Sequence, residues 1–598
     1  MAGALKTGKY TVPKEIAVLK PKEIRCDIKV VETKTKNGIR KHYYVYEVIN
    51  NKADKVIGKI EGGKFCPNAR GLGRISQMNN GRAEDAQPKE MTPGHPAALS
   101  RDEEMCIESA AVNMNLSLKN IDFQIKDYGE YAAVLACSQS VLTRLESCFS
   151  DKDARLIYAL SVIYFIQEYT PASYVKDVYD QSILSNKWPT LAISENKVGE
   201  FLKLLGRHPL VCEQYSQGLI DSSSGTIAID GHVILTCSKL NDLADYGNKY
   251  QKIGNKQMNV LQAYDAVNEA PLTSKTYEGD VIDKVSVKDL FQAYEFPSGT
   301  TFLIDMGFYS EDNLGLYREN GNYFVIPVAE SATIGKAIRS PISFDGSFSY
   351  TKRDGSGNAY EDTILYKEST VHELEDLYQK KLDEEAERKN REAQEKCRPG
   401  TKLKKIYPRK ITRSRFGNDR VIVFRDEDMH NKMVAEYLSQ IGMDETHTEE
   451  KLSQLGPEFG VIVLRTNKSV EMASASVCYC DYKKRWTIET HYNFVKNAIN
   501  FCGLQECDYY SMEGLSFLMI TVGQVKTSFL KKLKSSKERY VRNMSIAEAL
   551  AKAGRIKVSQ HQDKQWYFSY ASKKKMILMQ ELGVDIGGDS KKLNISQL

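Results

Sequence analysis

Four polar side chains in the segment DYKKRWTIETHYNFVKN, residues 481–497, have types and a spacing that could carry chemistry. Tyr482, Arg485, Glu489 and Lys496 follow the pattern Y-x2-R-x3-E-x6-K. At about 100° per residue, the last three lie within about 60° of the first, so one predicted helix presents all four on one side. An ordinary amphipathic helix would place aliphatic residues there. The simpler alternative is a surface stripe with an Arg485–Glu489 ion pair, contributing about 0.3–0.5 kcal/mol.

Two upstream aspartates supply further carboxylates. Asp230 lies inside the β-type run AIDGHVI, where aspartate is depleted and costly to bury unless it has a role. Asp305 ends the run TTFLID, although a strand-terminal aspartate is also a common helix cap or turn residue. Together with Glu489 they form the set that a two-Mg²⁺ site requires, because hard cations take oxygen ligands and a substrate phosphate supplies the rest.

The order strand-Asp, strand-Asp, helix-Glu resembles the ribonuclease H-like nucleotidyltransferases. The Y-x2-R-x3-E-x6-K spacing resembles the signature of bacterial insertion-sequence DDE transposases. The run DMGFYSEDNL, residues 305–314, is similar to that group's second-aspartate motif, D-x-G-F-x-S-x-x-N-L. Tyr246-Gly247 with Lys249 or Lys252 resembles the group's Y-G-x-S-K stretch.

The resemblance extends over about residues 225–330 and 475–530 and is only general elsewhere. One departure falls beside the first aspartate, where Gly231-His232 follows Asp230 and the family often has Ser-Thr. The chain between Asp305 and Glu489 is longer than a bare ribonuclease H-like fold needs, and the same transposases carry an insertion domain at this point.

The resemblance implies a multidomain α/β fold. Its centre is a ribonuclease H-like catalytic core interrupted by a mostly β insertion domain, preceded by a β-rich N-terminal module and a helical second domain. The expected domains are a β-rich module with linker (1–100), a helical domain for DNA binding or dimerisation (101–220), the first part of the core (221–330), the insertion with β structure and a charged helix (331–474), the second part of the core with the glutamate helix (475–535), and a C-terminal module (536–598).

The resemblance also implies roles for individual residues. Asp230, Asp305 and Glu489 would be the catalytic residues and the ligands of two Mg²⁺ ions, with Mn²⁺ able to substitute. The expected DNA contacts are Tyr482, Arg485, Trp486, Lys496 and Lys252. Among these, Arg485 and Lys496 would clamp phosphates and Trp486 would lie near a flipped base, with a core tryptophan as the alternative for Trp486.

The implied activity is DNA transposition. A homodimer would bind double-stranded DNA at the element ends, cleave it, and join the 3′ ends to target DNA by a cut-and-paste route with a hairpin intermediate. A ribonuclease H-like nuclease and an inactive domesticated transposase are the nearest alternatives. A non-enzymatic DNA-binding or scaffold protein would require the three carboxylates to be structural.

Composition sets the frame for the elements that position these residues. With 598 residues the chain exceeds one hydrophobic core, and roughly three to five domains are expected. The formal charge of +5 permits a nucleic-acid partner without indicating one. The twelve cysteines include no Cys-x-x-Cys pair, the N-terminus shows no secretory pattern, and no apolar run reaches the ~20 residues of a membrane span. We therefore expect a soluble, intracellular protein with no membrane partner, and the resemblance implies a cytoplasmic, nucleoid-associated location in a bacterium.

Local patterns predict the elements. Alternating residues around Asn37-Gly38 predict a hairpin within 24–60. Helical periodicity covers 103–217, and short apolar runs predict strands near 225–235, 300–305 and 322–328. Further predicted helices cover 364–396 (charged and solvent-exposed), 481–503 and 513–530. The basic stretches 402–420, with Tyr407 and Phe416 interleaved, and 526–542 suit a nucleic-acid backbone, although flexible surface loops are an alternative.

Overall fold

The computed structural model forms two compact units, Met1–Leu116 and Ser117–Leu598, and each is described by itself. The residues that the structure describes are 18–19, 26–35, 38–49, 52–61, 64–67, 124–168, 170–236, 241–246, 256–279, 283–329, 332–338, 343–354, 357–396, 405–443, 446–499, 508–560, 565–586 and 592–593.

The first unit contains an antiparallel sheet of four strands in the order β1-β2-β3-β4. The strands are β1 (Cys26–Thr35), β2 (Gly38–Ile49), β3 (Lys52–Glu61) and β4 (Lys64–Pro67). Their buried side chains, Ile28, Val45, Ile57 and Ile60, form a small core of their own. The predicted hairpin is confirmed by the β1–β2 pairing, while Asn37 of its turn lies outside the described residues.

The second unit is built on a mixed sheet of nine strands, in the order β11-β12-β13-β14-β10-β9-β6-β7-β8. Its strands are β6 (Thr226–Thr236), β7 (Lys256–Asp265), β8 (Ala270–Glu278), β9 (Thr301–Ile304), β10 (Tyr323–Pro327), β11 (Gly346–Arg353), β12 (Ala359–Thr370), β13 (Arg420–Asp426) and β14 (Val461–Thr466). The pairs β6–β9 and β9–β10 are parallel, and the other neighbours are antiparallel. The predicted mixed α/β fold class is confirmed at this level.

The central strands bury both of their faces. Along β6, Ile227 and Ile229 belong to one hydrophobic cluster and Ala228 to another, and β9 and β10 divide their residues in the same way. Successive side chains of a strand point to opposite faces, so a strand covered on both sides reads as a continuous apolar run. The three short runs predicted as strands near 225–235, 300–305 and 322–328 are confirmed for this reason.

Helices cover the sheet and form the remainder of the second unit. They are α1 (Gly129–Cys148), α2 (Asp151–Ile166), α3 (Ala172–Gln181), α4 (Leu184–Lys187), α5 (Glu195–Arg207), α6 (Pro209–Asp221), α7 (Asp283–Ala293), α8 (Glu311–Tyr317), α9 (Thr333–Ile338), α10 (Val371–Glu395), α11 (Glu427–Gln440), α12 (Glu449–Leu455), α13 (Ala475–Lys484), α14 (Trp486–Ile499), α15 (Tyr509–Lys534), α16 (Arg539–Arg542), α17 (Ile546–Ala553) and α18 (Lys573–Glu581). A second small sheet has the order β17-β16-β15-β5, with β5 (Gln124–Asp127), β15 (Lys557–Gln560), β16 (Trp566–Phe568) and β17 (Lys592–Leu593).

Helices α5 and α15 approach each other closely at two glycines. A Cβ atom added at Gly514 would lie 1.9 Å from the carbonyl oxygen of Leu202, and one added at Gly206 would lie 1.9 Å from that of Tyr510. Both distances are far below van der Waals contact, so this crossing requires residues without a side chain. The contact holds α15 against the helices that precede the sheet.

Two predicted helices differ from the observed ones. The charged helix begins at Val371, because residues up to Thr370 belong to β12, which pairs with β13, and Thr370 caps the helix. The predicted helix 481–503 is divided into α13 and α14 at Arg485. Two backbone hydrogen bonds between residues three apart form this junction. The Arg485 amide donates to the Tyr482 carbonyl (3.0 Å), and the Ile488 amide donates to the Arg485 carbonyl (3.1 Å). Bonds between residues three apart narrow the helix locally.

Within the described part of the chain, no helix has both the length and the apolar character needed to cross a bilayer.

Candidate active site

Asp230 and Asp305 lie on neighbouring parallel strands. The β6–β9 register pairs Ile229 with Ile304, and each aspartate is the next residue of its strand or strand end. The apolar residues before them are buried, and they fix both backbones at the same level of the sheet. The pairing therefore brings together two carboxylates that are distant in the sequence.

Glu489 completes the group from the first turn of α14. The guanidinium of Arg485, at the α13–α14 junction, lies between all three carboxylates. Its Nη1 is 3.5 Å from Asp230 Oδ2, and its Nη2 is 3.6 Å from Asp305 Oδ1 and 3.2 Å from Glu489 Oε1. Together they line a cavity of about 310 Å³, to which His232, Tyr492 and Asn493 also contribute.

The three carboxylates differ in their exposure. The side chain of Asp230 is 14% exposed, whereas those of Asp305 and Glu489 are 41% and 35% exposed. Burial raises the pKa of Asp230 to about 7; Arg485 opposes this shift, and the charges of Asp305 and Glu489 reinforce it. Burial alone would lower the pKa of Arg485, but Tyr482 and the three carboxylates raise it above its ordinary value. The site thus concentrates negative charge around one buried cation.

A second set of contacts joins β6 to α14 behind the carboxylates. The Tyr492 hydroxyl donates a hydrogen bond to the backbone oxygen of Asp230 at 2.7 Å. The ring of His232 stacks on the Tyr492 ring, with centroids 4.7 Å apart and planes inclined by 25°. Neither residue was predicted to have a role. Their places two residues after Asp230 and three after Glu489 were the available signal, because these spacings share a face of a strand and of a helix.

The structure describes the side chains of only some of the predicted DNA contacts. Tyr482 is partly buried, with the Arg485 guanidinium carbon 5.7 Å from its ring centroid. Trp486 is 67% exposed, so the alternative of a core tryptophan is wrong. Lys496 belongs to α14, but its side chain lies outside the described residues, as does the whole of Lys252.

Of the basic stretch 402–420, residues 405–420 lie within the described residues, and they are only partly available to a ligand. Tyr407 is well exposed. Phe416 is partly buried, with the Arg318 guanidinium carbon 3.6 Å from its ring centroid and that of Arg415 at 5.6 Å. These contacts occupy part of the Phe416 ring and leave less of it for a nucleic-acid ligand.

A second acidic group was not anticipated from the sequence. Carboxylate oxygens of Asp362, Asp426 and Asp428 lie within 4.8 Å of one another. The Lys352 ammonium contacts all three, at 2.6, 2.6 and 3.5 Å. Burial lowers the pKa of Lys352, but the bonds to Asp362 and Asp426 raise it overall. This group already holds its cation, and it is an internal ion-pair cluster rather than a candidate active site.

The comparison with protein families bears directly on the first carboxylate group. A family model described as transposase DDE domain matches residues 221–523, about half of the chain, and this range contains Asp230, Asp305 and Glu489. This chain belongs to the DDE transposase family. Membership implies a metal-dependent nuclease or transposase activity. The narrower assignment to bacterial insertion sequences stays a prediction.

Comparison of this DDE transposase chain with solved structures adds a distant likeness. A cryo-EM structure of the piggyBac transposase synaptic complex with hairpin DNA is similar with a TM-score of 0.34 and 9% sequence identity, over 71% of this chain and 79% of that chain. A search among curated proteins gives no match. The family assignment of the DDE transposase chain therefore rests on the domain match.

Proposed function

We propose that the chain is an active DNA transposase that cleaves DNA at the ends of its element and joins the 3′ ends to target DNA, with Asp230, Asp305 and Glu489 as metal ligands. The observation that carries this proposal is the convergence of three carboxylates on the Arg485 guanidinium inside the family-matched range. Two aspartates on adjacent parallel strands and a glutamate on a facing helix fit the ribonuclease H-like arrangement that the sequence resemblance implies.

The donor set suits Mg²⁺, or Mn²⁺ in its place. All three side chains offer hard oxygen ligands, and Mg²⁺ is usually bound by one or two carboxylates with water and substrate phosphate in the other positions. Asp305 and Glu489 keep more than a third of their surface in solvent, which leaves room for phosphate oxygens. When bound, a pair of such ions polarises the phosphate and activates the attacking water or 3′-hydroxyl. We propose two such ions at this site, as the resemblance implies.

The residues of the chain contribute charge and position. Arg485 contacts all three carboxylates, and it is placed to neutralise a phosphate that enters the cavity. Burial raises the pKa of Asp230 to about 7, so a divalent ion bound beside this carboxyl would favour its ionised form. We further propose Tyr482, Trp486, Lys496 and Lys252 as contacts to the DNA backbone or bases, as the resemblance implies.

The substrate and the route follow the family. We propose double-stranded DNA as the partner, a homodimer on the two element ends, and a cut-and-paste route with a hairpin intermediate. Strands β11 to β14 continue the sheet beyond β10, which supports an insertion domain joined edge-on to the core. The exposed side chains of the two basic stretches are candidate surfaces for the DNA backbone.

The test uses full-length protein and labelled duplexes that carry the terminal sequence found beside the gene. Asp305→Ala and Glu489→Ala should reduce Mg²⁺-dependent cleavage to background while leaving binding to the ends largely intact, and Asp230→Ala should behave alike. Asp428→Asn, from the second acidic group, is the matched control and should cleave normally. A hairpin band on a denaturing gel would support the proposed route.

The outcomes separate the alternatives. Retained cleavage in Asp305→Ala or Glu489→Ala would contradict the site assignment. Cleavage by the wild type without joining to a target plasmid would favour a nuclease. End binding without any cleavage would favour an inactive DNA-binding protein.

A further inference from the structure

We propose that Tyr492 and His232 are positioning residues that set the separation between the Asp230 and Glu489 carboxylates. The inference rests on the proposed function, because it assumes that these carboxylates hold divalent ions. Neither residue belongs to the sequence signature that identified the site. Their contacts join the two elements that carry the acidic side chains.

The Tyr492 hydroxyl makes the first connection. It donates to the backbone oxygen of Asp230 at 2.7 Å, so it holds the very residue that supplies the carboxylate. Tyr492 lies three residues after Glu489 on α14, and residues three apart are neighbours on a helix surface. One hydrogen bond therefore couples the turn of helix that carries Glu489 to the strand position that carries Asp230.

The register of the sheet explains why this bond matters. The parallel ladder between β6 and β9 ends at the pair Ile229–Ile304, one residue before Asp230. Asp230 therefore lies where β6 loses its pairing with β9, and it keeps a strand neighbour in Gln262 of β7. The hydrogen bond from the Tyr492 hydroxyl of α14 restrains the Asp230 backbone at this point, where β9 no longer does.

The His232 ring makes the second connection. His232 lies two residues after Asp230, on the same face of β6, and its ring stacks on Tyr492 at 4.7 Å. Tyr492 is 6% exposed and His232 is partly buried, so little of the tyrosine side of the stack is in water. On β6, His232 lies beside Asp230, and on α14, Tyr492 lies beside Glu489. The contact between His232 and Tyr492 therefore joins the strand to the helix next to both acidic residues. The stack limits rotation of the tyrosine ring and keeps its hydroxyl on the Asp230 carbonyl.

The consequence concerns metal affinity more than folding. Partners that orient metal ligands typically change affinity or activity by 10- to 100-fold when they are removed. Loss of the Tyr492 hydroxyl leaves the ring, its stacking and its burial in place, but it frees α14 to shift relative to β6. We expect about a tenfold weaker binding of a divalent ion, since the two carboxylates would no longer be held at one separation.

The experiment measures Mn²⁺ binding to full-length protein by electron paramagnetic resonance without DNA, and the Mg²⁺ concentration at half-maximal cleavage of an end duplex. Tyr492→Phe should raise both the Mn²⁺ dissociation constant and the half-saturating Mg²⁺ concentration about tenfold, with end binding unchanged. His232→Leu should act in the same direction, and His232→Phe, which keeps a flat ring, should recover most of the loss.

Tyr158→Phe is the matched control. Tyr158 is a buried tyrosine whose hydroxyl also donates to a backbone carbonyl, that of Leu135 at 3.3 Å, and it does not line the carboxylate cavity. It should change thermal stability without changing either metal measurement. If Tyr492→Phe likewise changes only thermal stability, the positioning role is wrong. Wild-type Mn²⁺ affinity in Glu489→Ala would instead contradict the proposed function itself.

Discussion

At the scale of single residues, Arg485 is the counterion of the whole carboxylate group. Three acidic side chains contact one guanidinium, and the Arg485 side chain is 14% exposed. Such a cluster is stable only while its internal cation is present, because carboxylates at short range repel one another. Arg485 and a divalent ion at the proposed site would both reduce the repulsion between the carboxylates. A bound divalent ion should therefore compensate for the loss of the Arg485 charge.

Arg485→Met should reveal this exchange. Without the guanidinium, the free energy of unfolding in EDTA should fall by about 2 kcal/mol, a figure kept low because Asp305 and Glu489 are partly in water. Added Mg²⁺ should then stabilise the variant more than the wild type. Thermal or urea unfolding with and without Mg²⁺ measures both effects.

The control for Arg485→Met is Arg425→Met, which removes an ion pair of a single carboxylate, that of Glu427. Its stability should not respond to Mg²⁺ any differently from that of the wild type. An equal Mg²⁺ response in Arg485→Met and the wild type would argue against the exchange.

Lys526 gives a pH-dependent prediction. Burial lowers the pKa of Lys526 to about 8, and its ammonium lies 4.3 Å from the centroid of Phe494 on α14. The unfolded chain binds this proton up to its ordinary pKa of 10.5. The folded protein therefore bears a charge-burial cost below pH 8 that disappears as the pH rises from 8 to 10.5.

Lys526→Met should accordingly raise the free energy of unfolding at pH 7, by about 1 kcal/mol once the lost attraction to Phe494 and nearby acids is deducted. The gain should shrink between pH 8 and 10.5. Lys532→Met, at an exposed position of the same helix, should show no such trend. Urea unfolding of both variants across this pH range measures the effect. An increase in the free energy of unfolding that does not depend on pH would contradict the assigned burial cost.

At the scale of elements, two glycines of α5 differ in whether the crossing with α15 leaves room for a side chain. Gly206 has no room for a side chain, because an added Cβ would meet the Tyr510 carbonyl, whereas an added Cβ at Gly199 of the same helix would meet nothing within 4 Å. Helical propensity favours alanine at both positions by up to about 1 kcal/mol. Only the packing distinguishes them.

Gly206→Ala and Gly514→Ala should each lower the free energy of unfolding by at least about 2 kcal/mol, since the helices must separate. Gly199→Ala should raise it by up to about 1 kcal/mol. Differential scanning calorimetry of the three variants is a direct comparison. Equal effects at Gly199 and Gly206 would mean that the crossing is looser than described.

Elements were predictable where local composition reflects burial. Strands β6, β9 and β10 are continuous apolar runs because both faces are covered, and this pattern is visible in the sequence. The break at Arg485 was not predictable, because it depends on two hydrogen bonds between residues three apart and not on a proline or glycine. The start of α10 was placed too early, because pairing with β13 takes residues 364–370 into β12.

At the scale of the molecule, the two units have separate apolar cores. In the described residues, the buried core of the first unit uses side chains from β1 to β3, and the two largest clusters use only residues from Tyr128 onward. All three carboxylates and Arg485 belong to the second unit. The predicted boundaries between further domains stay predictions.

Deletion of residues 1–116 should therefore leave the thermal midpoint of residues 117–598 unchanged and should preserve Mn²⁺ binding at the proposed site. Calorimetry and electron paramagnetic resonance of the shortened chain test this. A large drop in the midpoint would show that the second unit depends on the first.

The sequence pointed to the side chains that the structure brings together, and not to their geometry. A spacing pattern pointed to Glu489 and Arg485, and a motif pointed to Asp305. Asp230 depended on strand context and on the order of the acidic residues, and the catalytic roles of all three stay predictions. The role of Arg485 as a shared counterion, and the contacts of Tyr492 and His232, depend on how β6, β9 and α14 meet in space, which local sequence does not encode. The Lys352 cluster was unforeseen for the same reason.

The wide distribution of the three carboxylates along the chain determines when the proposed site could first form. About 260 residues separate Asp230 from Glu489, so a ribosome adding 5–20 residues per second needs roughly 13–50 s to travel between them. Until Glu489 has been made, the two aspartates lack their helical partner. If these residues are the metal ligands we propose, a chain that terminates before α14 cannot assemble the site, and translation times the onset of the proposed activity.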